Sequence, residues 1–157
     1  PALIKWPNEL VVHGKKICGM LTEMSAQFDY INNIVIGIGI NVHNESFPEE
    51  IAKTASSLLL ECGHRFHRAD IIEAFLEEFE AAYEVYLKTE DMEGLQQDYN
   101  ELLVNMNRQV RVLDPKEPFE GKAMGITKKG ELIVDTWESR KLVSSGEVSV
   151  RGIYGYV

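Results

Sequence analysis

The run IKWPNELVVHGKKICGMLTE, residues 4–23, concentrates the residues able to do chemistry: two adjacent lysines, Lys15 and Lys16, between a Trp6-Pro7-Asn8 turn and Gly19. A fixed ammonium stabilises anions, and side chains alternate faces along a strand, so only one of the two lysines can point at a given cleft. Gly19 lets a ligand lie close to backbone or marks a bulge. Pro7 fixes its own φ and biases Trp6 toward an extended conformation, while the Asn8 amide can bond backbone or ligand at the turn. Trp6 has two roles open to it, stacking on a ring or anchoring the turn in the core, and the second is the commoner. The block is suited to holding an anion beside a flat ring.

Other constellations carry less. Gly37-Ile38-Gly39 invites a dinucleotide-binding reading, but Val42 occupies the third glycine position and no helix pattern opens there. Cys62, His64 and His67 lie close in sequence without the element context of a metal site. Glu73, Glu77, Glu78, Glu80 and Glu84 read as the solvated face of a helix. No Ser/His/Asp constellation or defensible carboxylate pair is present.

The elements that must position Lys16 follow from periodicity and turn residues. Leu10 to Val12 and Lys16 to Met24 read as strands joined at His13-Gly14. Tyr30 to Val42 is a third strand whose run IVIGIGI is apolar on both faces, the pattern of a strand buried between layers. Asn44 to Ser57 is a loop with one helical turn. Asp70 and Glu73 suggest a capping box, and Ile72, Leu76, Phe79, Tyr83 and Tyr86 predict an amphipathic helix to Lys88. A second helix is predicted from Met92 to Asn105. After Asn107, short strands at Gln109 to Leu113, Phe119 to Ile126, Glu131 to Asp135, Lys141 to Val143 and Glu147 to Arg151 predict a small barrel.

Composition bounds the function class. The 157 residues can bury a core, and 45% apolar with 26% charged residues is ordinary for a soluble globular chain. A net charge of −9 disfavours nucleic-acid binding by this portion. Cys18 and Cys62 form no CxxC pattern and read as reduced cytosolic thiols, and no leader or long apolar run predicts export or a membrane span.

KWPNE, GKKICGMLTEMS and VIGIGINV, in this order and spacing, resemble the biotin protein ligases, also called biotin–[acetyl-CoA-carboxylase] ligases, and SSGEVSVRG is similar to the family's closing strand. The resemblance implies an α/β fold: a mixed sheet packed with helices over residues 1–106, then an SH3-like barrel over 107–157. It implies a cytoplasmic enzyme that joins biotin and ATP into biotinyl-5'-AMP, with Mg²⁺, and passes the biotinyl group to a lysine of biotin carboxyl carrier protein; a homodimer is an allowed assembly. Lys16 matches the family's essential lysine, expected to reach both the biotin carboxylate and the α-phosphate. Asn8 and Asn41 match positions near the adenylate, Arg151 an arginine near the nucleotide with Glu147 as its alternative partner, and Gly19 and Leu21 a strand along the biotin tail. Asn44 to Ser57 matches the adenylate-binding loop. Two departures stand out: Glu9 replaces the family's Asp, and the Gly/Arg-rich biotin loop expected upstream of KWPN has no match. The chain therefore reads as the C-terminal part of a ligase, inactive alone. The alternatives are a lipoate or octanoyl transfer enzyme of the same fold, and an adenylate-responsive transcriptional regulator if a DNA-binding domain lies upstream.

Overall fold

The computed structural model describes every residue except Glu147 and Tyr154. Four strands come first: β1 (Leu3–Lys5), β2 (Glu9–Val12), β3 (Lys15–Gln27) and β4 (Tyr30–Ile40), paired antiparallel in chain order. The His13-Gly14 turn joins β2 to β3 with both residues at positive φ, 48° and 77°, as a two-residue hairpin turn requires. The Trp6–Pro7 peptide is cis. Parallel pairing enters only as isolated bridges, Ile4 to Leu103 and Lys16 to Ala55, among the described residues.

Helix α1 (Leu58–Cys62) was not predicted. Ser57 caps it by accepting from the Leu60 N–H at 3.2 Å, and Gly63 ends it at φ 75°. Helix α2 (Arg68–Thr89) covers the predicted amphipathic segment, but His67 is its N-cap and makes no side-chain capping bond; Asp70 instead lies in the first turn, where its charge suits the helix dipole. The second predicted helix shrinks to α3 (Gln96–Leu102), because Leu103 turns extended and sinks into the core beside β1.

The last five strands are β5 (Gln109–Leu113), β6 (Phe119–Ile126), β7 (Leu132–Asp135), β8 (Arg140–Val143) and β9 (Ser149–Gly152), arranged β8-β7-β6-β5-β9. The predicted closing strand began at Glu147, which lies outside the described residues. Alternation explains the core: Val110 and Val112 point in while Gln109 and Arg111 point out. With Ala123, Ile126, Leu132, Val134, Val143 and Val150 they form one cluster, completed by Trp6 and Leu103 from ahead of β5. A bulge bends β6 between Ala123 and Ile126, and α3 binds it: Asn100 Oδ1 accepts from the Ile126 N–H at 2.9 Å, and Gln96 Nε2 donates to the Ile126 carbonyl. The barrel and the sheet thus share a core around Trp6.

One expectation fails. The apolar run of β4 is exposed rather than sandwiched, with Ile34, Val35 and Ile36 each about half accessible. β4 is the outer strand of its sheet, and α2 buries none of its own residues, so much of its apolar stripe stays exposed.

Candidate active site

A row of partners crosses the first sheet. Lys5 pairs with Glu9, Glu9 with Gly19, and Gly19 with Gly39. Paired residues share a face, so two charged side chains stand beside two positions with no side chain. Simple alternation from Gly19 would put Lys16 on the opposite face. A register shift between Leu10 and Val11 prevents this: Leu10 pairs with Cys18 but Val11 pairs with Lys16, leaving Ile17 as the extra residue. The bulge turns Lys16 onto the face of Glu9 and Gly19.

The Lys16 side chain lies back across Gly19, where an added Cβ would come within 2.9 Å of both Lys16 Cε and Nζ. Its Nζ donates to Glu9 Oε1 at 2.5 Å. Lys16, Gly19, Leu21, Gly37 and Gly39 line one open groove. At Gly37 and Gly39 a Cβ would meet only ordinary contacts, at 3.7 and 3.8 Å, so bare backbone there leaves room for a ligand without being forced by packing.

Glu9 is the electrostatic centre. Its other oxygen, Oε2, accepts from Lys5 Nζ at 2.8 Å and from the Tyr156 hydroxyl at 2.6 Å. Burial opposes its ionisation, but the hydrogen bonds from Lys16, Lys5 and Tyr156 outweigh it and bring the carboxyl down to about 2. Burial, then the bond to Glu9, pushes the Tyr156 phenol up. Because the folded pKa lies below the unfolded one, the stabilisation is complete above about pH 4.5 and disappears as pH falls toward 2. Glu9→Gln should therefore lower stability at pH 7 by about 2 kcal/mol, a difference that closes over that acid window. Denaturant titrations of both proteins at pH 7 and pH 3 check this; a gap that does not narrow at pH 3 would exclude the carboxylate as its source.

The loop before α1 is stitched to the same strand. The Lys16 N–H donates to the Thr54 carbonyl at 2.7 Å, and the Ser56 N–H to the Lys16 carbonyl at 2.8 Å. Asn41 Nδ2 donates to the Ser56 carbonyl at 3.0 Å. Asn8 Nδ2 donates to the Met20 carbonyl, while the Met20 N–H donates to the Asn8 carbonyl at 2.9 Å. Both amides are spent on backbone carbonyls. Glu61 holds the far side of the loop, accepting from Ser56 Oγ and pairing with His13 Nδ1, and these bonds lower its carboxyl. Lys15 contributes to Glu61 through its field rather than to the groove.

Arg151 is exposed on β9, paired with Arg111, and its charge reaches Tyr156. Its suggested partner Glu147 lies outside the described residues. Sequence reasoning missed Lys5 and Tyr156. The signal for Lys5 was available, since a tight turn over Trp6 to Asn8 sets it opposite Glu9; Tyr156, 147 residues from Glu9, gave none.

Family models match both ends of the chain: the biotin/lipoate A/B protein ligase family over residues 1–41, and the biotin protein ligase C-terminal domain over residues 106–151. The bifunctional ligase/repressor BirA of Bacillus spizizenii is 35% identical over 149 residues, covering 94% of this chain and 46% of that protein. The chain belongs to the biotin protein ligase family. A biotin–[acetyl-CoA-carboxylase] ligase of Mycobacterium tuberculosis is 31% identical, covering 92% of this chain and 52% of its own. Biotin protein ligase from Aquifex aeolicus, solved in complex with biotin and ATP, superposes with a TM-score of 0.82 at 27% identity, over 97% of this chain and 62% of that one. The α/β and SH3-like architecture is that of a biotin protein ligase. The chain spans about half the length of the curated relatives it matches.

Proposed function

We propose that the protein works as an ATP-dependent biotin protein ligase, with residues 1–106 as its catalytic portion and 107–157 as its SH3-like domain. The observation that carries this reading is a single ammonium, Lys16 Nζ, laid over Gly19 at the head of an open groove. The biotin carboxylate attacks the α-phosphate of ATP and displaces pyrophosphate; a carrier-protein lysine then attacks the acyl carbonyl and releases AMP. Both reacting groups in the first step are anionic, so a preorganised cation that touches both lowers their repulsion and the charge growing at phosphorus. Gly19 and Leu21 line the path of the biotin tail, Asn8 and Asn41 hold the nucleotide end in shape, and Arg151 approaches the nucleotide from the barrel.

Mg²⁺ enters with ATP as part of the nucleotide substrate; among the described residues no group of three or more His, Cys, Asp or Glu side chains converges to hold a resident ion. Two free thiols, Cys18 and Cys62, accord with a reducing cytoplasm, and no helix among the described residues is long and apolar enough to cross a membrane. Because the groove lies open to solvent, the 157 residues alone should transfer biotin poorly.

The test is pyrophosphate exchange by the full-length protein with biotin or lipoate as the acid. Exchange should depend on biotin and not on lipoate, and Arg151→Ala should raise the ATP requirement while leaving the biotin requirement unchanged. Exchange supported by lipoate alone would move the protein to the lipoate branch of the fold.

A further inference from the structure

The last residues of the chain are remote from the groove in sequence yet rest against it. After β9, the Gly155 N–H donates to the Gly152 carbonyl at 3.3 Å and turns the tail back. Val157 then packs so closely that a Cβ on Gly152 would fall 2.3 Å from its carbonyl oxygen, and one on Gly14 would fall 3.2 Å from its Cγ2. Gly14 is part of the β2–β3 turn, so the tail of the barrel is seated on the first sheet. From there Tyr156 joins Lys5 on Glu9 Oε2, and the Lys5 ammonium also lies 4.4 Å from the centre of the Tyr156 ring.

We infer that Tyr156 is a positioning residue: with Lys5 it fixes Glu9 so that the remaining carboxylate oxygen holds the Lys16 ammonium over Gly19. The inference rests on the reading of Lys16 as the lysine that faces biotin and ATP. A lysine has four rotatable bonds and samples many rotamers unless something restrains its head. Glu9 could not restrain it while turning freely itself. Lys5 is buried and Tyr156 has only two side-chain rotors, so together they set the carboxylate plane and leave Oε1 for Lys16. The extra methylene of Glu9 carries its carboxylate roughly 1.5 Å further than an aspartate's, one carbon–carbon bond, toward Lys5, Tyr156 and Lys16. Glu at position 9 and Tyr at 156 form one device, which makes the C-terminal tail part of the adenylating site.

Tyr156→Phe in the full-length protein keeps the ring over Lys5 and removes only the hydroxyl. The Glu9 carboxyl, followed by ¹³C NMR, should titrate about one pH unit higher. The kcat of biotin-dependent pyrophosphate exchange should fall about fivefold to tenfold, with KM for the carrier unchanged and the melting temperature lower by only a few degrees, as a one-unit rise at Glu9 requires. Deleting Tyr156 and Val157 should lower kcat at least as far. An unchanged kcat beside an active wild type, or a Glu9 titration that does not move, would overturn the inference. A wild type without biotin-dependent exchange would overturn the ligase reading and with it the positioning role, while a Glu9 titration that still moved would establish the tail contact alone.

Discussion

Lys16→Ala should cut the rate of biotinyl-adenylate formation ~10²–10³-fold, the usual cost of removing one preorganised donor to charge in a transition state. The lysine is half-buried, held at 2.5 Å by Glu9, and stands on the same sheet face as Gly19 because of the bulge at Ile17. Lys15→Ala should cost little. That side chain acts on Glu61, across the strand from the groove, through its field alone. Pyrophosphate-exchange rates for the two variants, with circular dichroism to show that both fold, decide the matter. Equal losses would mean that the face assignment is wrong and that the pair acts through summed charge.

Trp6→Ala should destabilise the chain by about 4 kcal/mol, within the range for deleting a buried aromatic. The Trp6 ring is 3% exposed and lies in the same cluster as Val110, Val134 and Ile126, while its Nε1 donates to the Gly130 carbonyl at 3.0 Å. The deletion leaves a cavity where Trp6 and Leu103 enter the barrel core. It also leaves a carbonyl without its donor. For a chain of this size the melting temperature should drop by roughly 10 °C. Trp6→Phe should lose much less, since the ring volume survives. Thermal denaturation followed at a backbone wavelength checks both. A shift under about 2 °C for Trp6→Ala would show that the two halves are stable without their shared core.

Local rules account for much of the fold. Positive-φ residues at His13-Gly14, the alternation of Val110 and Val112, and the turn pairs between the last strands are decided within a few residues, so pattern alone locates them. Helix ends are less local. Asp70 has the composition of a cap but not the position, because the chain enters α2 earlier, at His67. Met92 to Asn105 has helical periodicity throughout, yet Leu103 finds more burial beside Ile4 and Trp6 than in another helical turn. The apolar β4 run misleads in the opposite direction. Hydrophobicity on both faces states what a strand would bury, and in this structure the run stays about half accessible.

By itself the sequence determined the chemistry available: two lysines on a glycine-bearing strand, a turn fixed by Pro7, and a loop able to sit beside them. Those are properties of residue types and short spacings. Which lysine reaches the groove was decided by pairing, since one unpaired residue in β3 exchanges the faces of everything before it. The partners of Glu9 were decided by tertiary structure too. Lys5 arrives across a strand pair and Tyr156 from the far end of the chain, and only folding, which brings three polar groups to one carboxylate, makes the position of Lys16 definite.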